Sequence, residues 1–220
     1  MTRPPVDLSV YLVADAATIS GRSVADVVAA AVDGGASAVQ VRGKDLSASE
    51  LLAVVEACSA HTAGRAALLV NDRVDVYLAA RAAGTPVDGV HIGQDDVPAD
   101  EARDAVGDEA IIGLSASLPE HLEALRAGPS GAVDYLGVGA VRPTPTKRDH
   151  PAPLGWEGFS AFARRADGIP CVAIGGVGPG DAVPARRAGA AGIAVVRAIC
   201  SADDPAAAAA ALRAEWEHAR

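Results

Sequence analysis

Short apolar runs alternate with alanine-rich amphipathic segments along almost the whole sequence, and this alternation limits the fold more than any other feature. Runs of this kind predict buried strands, and the amphipathic segments between them predict helices. The predicted strands cover residues 9–15, 38–42, 67–71, 89–92, 110–115, 135–140, 171–175 and 192–196. The predicted helices cover residues 23–34, 47–63, 73–83, 98–106, 118–127, 156–166, 179–188 and 205–220.

Strict strand–helix order predicts a parallel sheet, because parallel neighbours need a crossover connection. Eight such units in 220 residues fit a closed (β/α)8 TIM barrel. No composition shift or long linker divides the chain, so we expect one domain over residues 1–220. The alternative is an open doubly wound sheet, in which a glycine-rich dinucleotide loop often follows the first strand. No such loop follows Asp15.

Charge and composition narrow the function. A formal net charge of −9 and an aromatic content of 3% disfavour a nucleic-acid surface built from basic patches and stacking rings. The sequence has neither a signal-peptide pattern nor an apolar run long enough to cross a bilayer, so we expect a cytoplasmic protein without membrane contact. Its three cysteines are interpreted as reduced core residues. The oligomeric state is left open, and a homo-oligomer is one alternative.

Anion-binding chemistry is concentrated in residues 137–149, GVGAVRPTPTKRD. The two glycines allow close backbone approach to a ligand, and the two prolines stiffen the loop. Thr144, Thr146 and Lys147 supply hydrogen-bond donors on that frame. The stretch therefore predicts a phosphate site, although solvated loops are commonly rich in Pro, Thr and Lys for no functional reason.

Further polar residues end or follow the other predicted strands, where TIM barrels carry their chemistry. They are Gln40, Arg42, Lys44, Asn71, Asp72, His91, Asp96, Ser115 and Arg197, together with the glycine-rich loop 175–178. Several also have a purely structural interpretation. The pairs at 71–72 and 95–96 suit helix N-caps, and Arg42 and Lys44 suit surface ion pairs with the acidic residues that follow them.

The chemistry that these groups support is narrow. Asp72 and Asp96 follow adjacent strands and face basic residues, an arrangement that suits Mg²⁺ held between protein oxygens and a polyphosphate. Because of those cations we expect both carboxylates to stay ionised, which favours metal binding over proton transfer. The loop 175–178 offers backbone N–H groups to a second phosphate. Together these features indicate small-molecule partners, with one phosphorylated substrate displacing a diphosphate from another.

The sequence resembles the thiamine-phosphate synthase family in segments that occur in the family's order over nearly the whole length. The segments are YLVAD (11–15), VQVRGK (39–44), VNDRVDV (70–76), DGVHIGQDD (88–96), IIGLSAS (111–117), DYLGVGAVRPTPTKRD (134–149), IPCVAIGGV (169–177) and AGAAGIAVVRAI (188–199). The resemblance implies a Mg²⁺-dependent transferase of thiamine biosynthesis. Such an enzyme joins hydroxymethylpyrimidine diphosphate to a thiazole phosphate by a dissociative displacement that releases pyrophosphate.

Matching positions imply a role for each candidate residue. The pyrimidine diphosphate site would contain Gln40, Arg42, Lys44, Asn71, Ser115 and Lys147, of which Arg42, Lys44, Ser115 and Lys147 would be catalytic. The Mg²⁺ ligands would be Asp72 and Asp96. The thiazole phosphate site would contain Thr144, Pro145, Thr146, Gly176, Val196 and Arg197.

Two arginines depart from the family pattern. Arg197 stands where the family commonly has serine, and Arg142 stands at a position that is commonly aromatic. Arginine still binds phosphate, but it is larger and can crowd the site. Two alternatives remain. A thiazole tautomerase shares the scaffold but does not use the metal and diphosphate residues, and the presence of those residues favours the synthase. A phosphate-ligand sensor without turnover is the alternative that Arg197 favours.

Overall fold

The computed structural model describes residues 6–144 and 152–219, and its centre is a closed barrel of parallel strands. The strands are β1 (Val10–Asp15), β2 (Ala38–Arg42), β3 (Ala67–Asn71), β4 (Gly89–Ile92), β5 (Ile111–Ala116), β6 (Tyr135–Val138), β7 (Cys171–Ile174) and β8 (Gly192–Val195). Each strand pairs with its successor in the sequence, and β8 pairs with β1 to close the ring. The predicted TIM barrel is confirmed, and the open sheet is excluded.

Helices connect the strands on the outside of the barrel. In the described part of the chain they are a 3-10 helix (Ala16–Thr18), α1 (Val24–Asp33), α2 (Ala48–Thr62), α3 (Val74–Ala82), α4 (Ala99–Val106), α5 (Pro119–Ala127), α6 (Gly155–Arg165), α7 (Ala182–Arg187), α8 (Arg197–Cys200) and α9 (Pro205–His218). A capping box starts α2: the Ser47 hydroxyl accepts from the N–H of Glu50, whose carboxylate accepts from the N–H of Ser47.

Two helices differ from the sequence prediction. Helix α8 (Arg197–Cys200) was not predicted: β8 stops at Val195, one residue before its predicted end, and Arg197 starts a short helix. Helix α7 begins at Ala182 and not at residue 179, because the chain turns first: the N–H of Asp181 donates to the carbonyl of Gly178, and Gly180 has a φ of 89°. Both differences lie at the end of the barrel that carries the candidate site.

Alternation along each strand separates two apolar layers. On β1, Val10, Leu12 and Ala14 belong to the large cluster between strands and helices, whereas Tyr11 and Val13 belong to a smaller cluster inside the barrel. Successive side chains of a pleated strand point to opposite faces, so a residue between two members of the outer cluster must face the barrel interior. Polar residues at inward positions near the strand ends are therefore directed into the barrel.

Two sequence expectations concern the environment of the chain. None of the helices formed by the described residues is long and apolar enough to cross a membrane. Cys58, Cys171 and Cys200 are buried and free, and burial raises the pKa of the Cys58 thiol to about 12. A thiol with so high a pKa carries little of the reactive thiolate at neutral pH.

Candidate active site

Four of the predicted binding side chains occupy inward positions at the carboxyl ends of their strands. Gln40 and Arg42 alternate on β2 with residues of the outer apolar cluster, as do Asn71 on β3 and Ser115 on β5. Gln40 is 4% exposed, and the other three are partly buried. The structure therefore brings these four predicted residues to one end of the barrel, on three different strands.

Arg42 is held by a carboxylate that the sequence interpretation does not include. Its Nη1 forms an ion pair with Oδ2 of Asp15, its register neighbour on β1. The side chains are 18% and 3% exposed respectively, so the pair is largely withdrawn from water. The surface ion pair considered for Arg42 is therefore wrong. Because a guanidinium carries five N–H donors, one carboxylate leaves others to bind an anion.

The two predicted metal ligands interact with each other. Burial raises the pKa of Asp72 to about 6, helped by a hydrogen bond with Asp96 and by its charge, whereas Lys44 and Asn71 lower that pKa. Burial and the second carboxylate outweigh Lys44, so the pKa of Asp72 is shifted up rather than down, but a pKa of about 6 still leaves this carboxyl mostly ionised at pH 7. A partly buried carboxyl whose pKa is raised beside a second carboxylate forms a site that a cation would stabilise.

Neither carboxylate caps the helix that follows it. The N-cap of α3 is Arg73 and that of α4 is Pro98, and neither makes a side-chain cap bond. Asp72 instead has a φ of 61°, and its N–H donates to a carbonyl of β4 at 2.8 Å. Asp96 accepts from the N–H of Gly93 at 2.7 Å. The structural alternative for these residues is therefore wrong, and both carboxylates remain available as ligands.

A line of hydrogen bonds crosses the barrel interior between two predicted substrate residues, Gln40 and Ser115. Gln40 Nε2 donates to the Tyr11 hydroxyl at 2.8 Å, and that hydroxyl lies 2.7 Å from the hydroxyl of Tyr135. Tyr135 lies 2.8 Å from Nδ1 of His91, whose Nε2 lies 3.0 Å from Ser115 Oγ. We call these five residues the interior chain.

Glycines make room for the ring pair of the interior chain. A Cβ on Gly113 would lie 2.1 Å from Cζ of Tyr135 and 2.5 Å from Nδ1 of His91. A Cβ on Gly137 would lie 3.0 Å from Cε1 of His91. The sequence interpretation assigns Gly137 to close approach of a phosphate, but the structure places the His91 ring there.

The loop after β6 is anchored to its neighbours at both described ends. The N–H groups of Val141 and Arg142 donate to carbonyls at the end of β7 and just after it, both at 2.9 Å. The N–H groups of Leu154 and Gly155 donate back to the carbonyls of residues 140 and 141 at 2.9 and 3.0 Å. Residues 140–142 and 154–155, on either side of the predicted phosphate-binding stretch, therefore lie beside β7 and the start of the glycine-rich loop.

The predicted thiazole phosphate residues come from the loops after β6, β7 and β8. Thr144 and Val196 are partly buried, whereas Gly176 and Arg197 are exposed. Val196 is the residue before α8, so both it and Arg197 stand where the chain turns from strand to helix. Pro145, Thr146 and Lys147 lie outside the described residues.

Arg142 clamps the glycine-rich loop. Its guanidinium binds both carboxylate oxygens of Asp181 at 2.6 and 2.8 Å and donates to the carbonyl of Gly176 at 3.2 Å. Asp181 also accepts from the N–H of Gly178 at 2.9 Å, so one of the N–H groups predicted for a phosphate already has a partner. The guanidinium lies 5.7 Å from the Trp156 ring centre, close enough for a cation–π contact.

A cleft of about 400 Å³ opens beside the Asp15–Arg42 pair. It is lined by the start of the 3-10 helix on one side and by the loop from Arg42 to Leu46 on the other. Lys44 lies in this lining and is exposed. Arg42 and Lys44 therefore border one opening at the carboxyl end of the barrel, and Lys44 lies near enough to Asp72 to lower its pKa.

Comparison with known proteins agrees with this geometry. The family model described as thiamine monophosphate synthase matches residues 10–199. The chain belongs to the thiamine monophosphate synthase family. It is 43% identical to the thiamine-phosphate synthase of Corynebacterium efficiens over 203 residues, 92% of each chain. It is 46% identical to the thiamine-phosphate synthase of Chloroflexus aurantiacus over 213 residues, 95% of this chain and 93% of that protein.

A solved structure in the same family extends the match to the fold. The thiamine phosphate pyrophosphorylase from Pyrococcus furiosus superposes with a TM-score of 0.82 at 33% identity, covering 97% of this chain and 98% of that one. The family resemblance found in the sequence is confirmed. The roles of the individual site residues stay predictions.

Sequence reasoning missed four residues around the site: Tyr11, Asp15, Tyr135 and Asp181. It noted His91 at the end of a strand but gave it no role. The first three of these and His91 are inward positions on strands, so strand alternation alone could have identified them. Asp181 precedes α7, and its partner Arg142 follows β6. No local pattern joins two loops so far apart in sequence, so that contact required the structure.

Proposed function

We propose that this protein is a transferase of thiamine biosynthesis that condenses hydroxymethylpyrimidine diphosphate with a thiazole phosphate, giving thiamine phosphate and pyrophosphate. The observation that carries the proposal is the joint placement of Gln40, Arg42, Asn71 and Ser115 at one barrel end beside the carboxylates Asp72 and Asp96. Family membership supports the same activity.

The carboxylate pair fits Mg²⁺. Asp72 and Asp96 supply hard oxygen ligands, and Asn71 lies within hydrogen-bonding distance of Asp72. A site with so few protein ligands suits Mg²⁺, which usually keeps waters and binds substrate phosphates as its other ligands. When bound, the ion would neutralise charge on the diphosphate leaving group.

The protein's own residues would bind and orient the two substrates. Arg42 and Lys44 carry positive charge beside the cleft, where they would stabilise the negative charge that develops as the C–O bond to the diphosphate breaks. The thiazole nitrogen then forms the new C–N bond with the pyrimidinylmethyl cation. No nucleophile from the protein is required, because the barrel supplies alignment and the two substrates supply the reacting atoms.

The second substrate would bind on the side of the loops after β6, β7 and β8. Thr144, Gly176, Val196 and Arg197 are the described candidates, and Pro145, Thr146 and Lys147 complete the set by sequence. Lys147 would bind the diphosphate. A cytoplasmic location and small-molecule partners stay predictions of the sequence, as does the alternative of a homo-oligomer.

The test is incubation of purified protein with both substrates and Mg²⁺, with chromatographic detection of thiamine phosphate and pyrophosphate. Equal amounts of the two products, formed only when both substrates are present, are the expected result. Release of pyrophosphate without thiamine phosphate would contradict the proposal. Isomerisation of a thiazole phosphate without any coupling would favour the tautomerase, and binding without either reaction would favour the sensor.

A further inference from the structure

The interior chain joins two predicted substrate side chains through three residues to which the proposed function gives no role. Tyr11, Tyr135 and His91 come from β1, β6 and β4, and none of them is more than 7% exposed. A buried hydroxyl or imidazole is costly unless it is hydrogen-bonded. Three such groups in the middle of an apolar barrel therefore require one another as partners.

Both phenols act as hydrogen-bond donors. Burial raises the pKa of Tyr11 and of Tyr135 above the ordinary tyrosine value, so neither ionises near neutral pH. Each hydroxyl has one hydrogen to donate and oxygen lone pairs that accept. Their neighbours inside the barrel include Val13, Leu69 and Val172, which offer no side-chain acceptor. Each hydrogen is therefore used only if it is directed along the interior chain.

The direction of the interior chain follows from its first member. Gln40 Nε2 is an amide nitrogen and must donate to Tyr11, which can then use its own hydrogen only by donating to Tyr135. Tyr135 accepts that bond, and its remaining described partner is Nδ1 of His91, to which it donates. A His91 ring that accepts at Nδ1 carries its proton on Nε2, which donates to Ser115 Oγ.

We propose that Tyr11, Tyr135 and His91 are positioning residues that fix the direction of the hydrogen bonds offered by Gln40 and Ser115 to the pyrimidine substrate. Gln40 is held through Nε2 and presents Oε1 as an acceptor. Ser115 accepts from His91 and presents its own O–H as a donor. The two substrate contacts therefore act as a coupled pair, because hydrogen bonds in a line polarise one another.

The identity of the substrate in this inference rests on the proposed function, but the direction of the interior chain does not. The first experiment therefore needs no turnover. Nitrogen-15 NMR of histidine-labelled, ligand-free protein reports which ring nitrogen carries the proton, and His91→Gln identifies the His91 signals among those of the five histidines. We expect a neutral His91 with its proton on Nε2 at about pH 7.

Tyr135→Phe supplies the perturbation for this measurement, and Tyr77→Phe supplies the matched control. Tyr77 lies on α3, outside the barrel. Tyr135→Phe removes the donor to Nδ1, so the Nε2-protonated form should lose its dominance, whereas Tyr77→Phe should leave the His91 signals in place. A proton on Nδ1 in the unchanged protein, or identical spectra in Tyr135→Phe, would overturn the proposal.

The second experiment measures kinetics. Tyr135→Phe should lower kcat/KM for the pyrimidine diphosphate about 10- to 100-fold. Losses of this size are typical when the hydrogen-bond partner that orients a metal-binding side chain is removed. The KM for the thiazole phosphate should change less than about twofold, since that substrate binds elsewhere. If Tyr135→Phe does not fold, Tyr11→Phe breaks the same interior chain one bond earlier. An equal loss for both substrates would indicate a general structural role and contradict positioning.

A double-mutant cycle separates coupling from simple loss of contacts. Gln40→Ala and Ser115→Ala should have combined effects smaller than the product of their single effects, and the effects should become multiplicative in a Tyr135→Phe background. Multiplicative effects in the unchanged background would contradict the proposal. If the protein makes no thiamine phosphate, the proposed function fails, and the NMR result still decides the direction of the interior chain.

Discussion

The two sides of the candidate site are built differently. We call one the strand side, formed by the inward residues Asp15, Gln40, Arg42, Asn71, His91 and Ser115 with the adjoining Asp72. We call the other the loop side, formed by residues 142–144, 175–181 and 196–197. On the strand side, side chains are fixed by strand register and by partners inside the barrel. On the loop side, the side chains with described contacts are held by loop-to-loop contacts such as the Arg142–Asp181 pair.

This difference indicates how each side can change. A strand-side residue cannot move without disturbing the register of the closed barrel, so substitutions there should affect binding or stability strongly. Every loop-side residue except Asp181 is partly or fully exposed, and few neighbours fix its position. Arg142, for example, has a side chain that is 47% exposed. Substitutions on the loop side should therefore have smaller and more local effects.

The largest effect is expected for Asp72→Ala, which removes a predicted Mg²⁺ ligand of the strand side. Initial rates should be measured over a range of Mg²⁺ concentrations. The kcat/KM derived from them should fall about 1000-fold, because the leaving group loses charge stabilisation. Asp96→Ala should behave similarly. The control is Asp75→Ala, an exposed residue that pairs with Arg73, and it should retain near-normal rates. Full activity of either metal-site variant with EDTA present would contradict the assignment.

Asp15→Asn tests whether the strand side also stabilises the fold. Asparagine keeps an oxygen for the N–H of Ala17 but removes the charge that Arg42 faces, leaving a largely buried cation unpaired. The free energy of unfolding, measured with urea, should fall by about 3 kcal/mol. Asp33→Asn breaks an exposed pair with Arg65 and should cost less than about 1 kcal/mol. Equal losses of unfolding free energy in both variants would show that the buried Asp15–Arg42 pair stabilises the fold no more than the exposed Asp33–Arg65 pair.

Sequence patterns predicted the strand side better than the loop side for a physical reason. Alternation on β2 placed Gln40 and Arg42 on one face, and a closed barrel then brings all such faces together. The Arg142–Asp181 contact and the end of β8 before Arg197 depend on how loops pack against each other, which no local periodicity records. The pKa of Asp72 was also beyond the sequence, because it depends on burial and on the distance to Asp96.

Arg142→Gln tests the loop side. The variant loses the two-point contact with Asp181, which keeps its bond from the N–H of Gly178. The glycine-rich loop should become less well positioned, so we expect the KM for the thiazole phosphate to rise about fivefold, equivalent to roughly 1 kcal/mol. The KM for the pyrimidine diphosphate should be unchanged. Asp181→Asn breaks the same pair from the other partner, and the double variant should be no worse than either single one.

The smallest effect is expected for the stability contributed by His121, which lies in the first turn of α5 and contacts the backbone just after β5. Nδ1 of His121 accepts from the N–H of Ser117 at 3.1 Å and lies 3.4 Å from that of Leu118, just beyond β5 and Ser115. Burial lowers the pKa of His121, and the charge of Glu120 opposes that shift. Only the neutral ring can accept these bonds, so protonation removes the cap of α5.

The sign of the pH effect follows from this lowered pKa. The unfolded chain protonates His121 near its ordinary value of about 6.5, whereas the folded chain resists protonation until lower pH. The stabilisation is therefore present above about pH 7 and is lost as the pH falls through the folded pKa. Because the ring is only partly buried and water screens its interactions, we expect less than about 1 kcal/mol. The difference in unfolding free energy between the unchanged protein and His121→Ala should be measurable at about pH 8 and should shrink as the pH falls below about 6.5. If the difference grows on acidification, the His121 ring does not act as an acceptor for the N–H groups of Ser117 and Leu118. The structure that holds the strand side would then extend no further than Ser115.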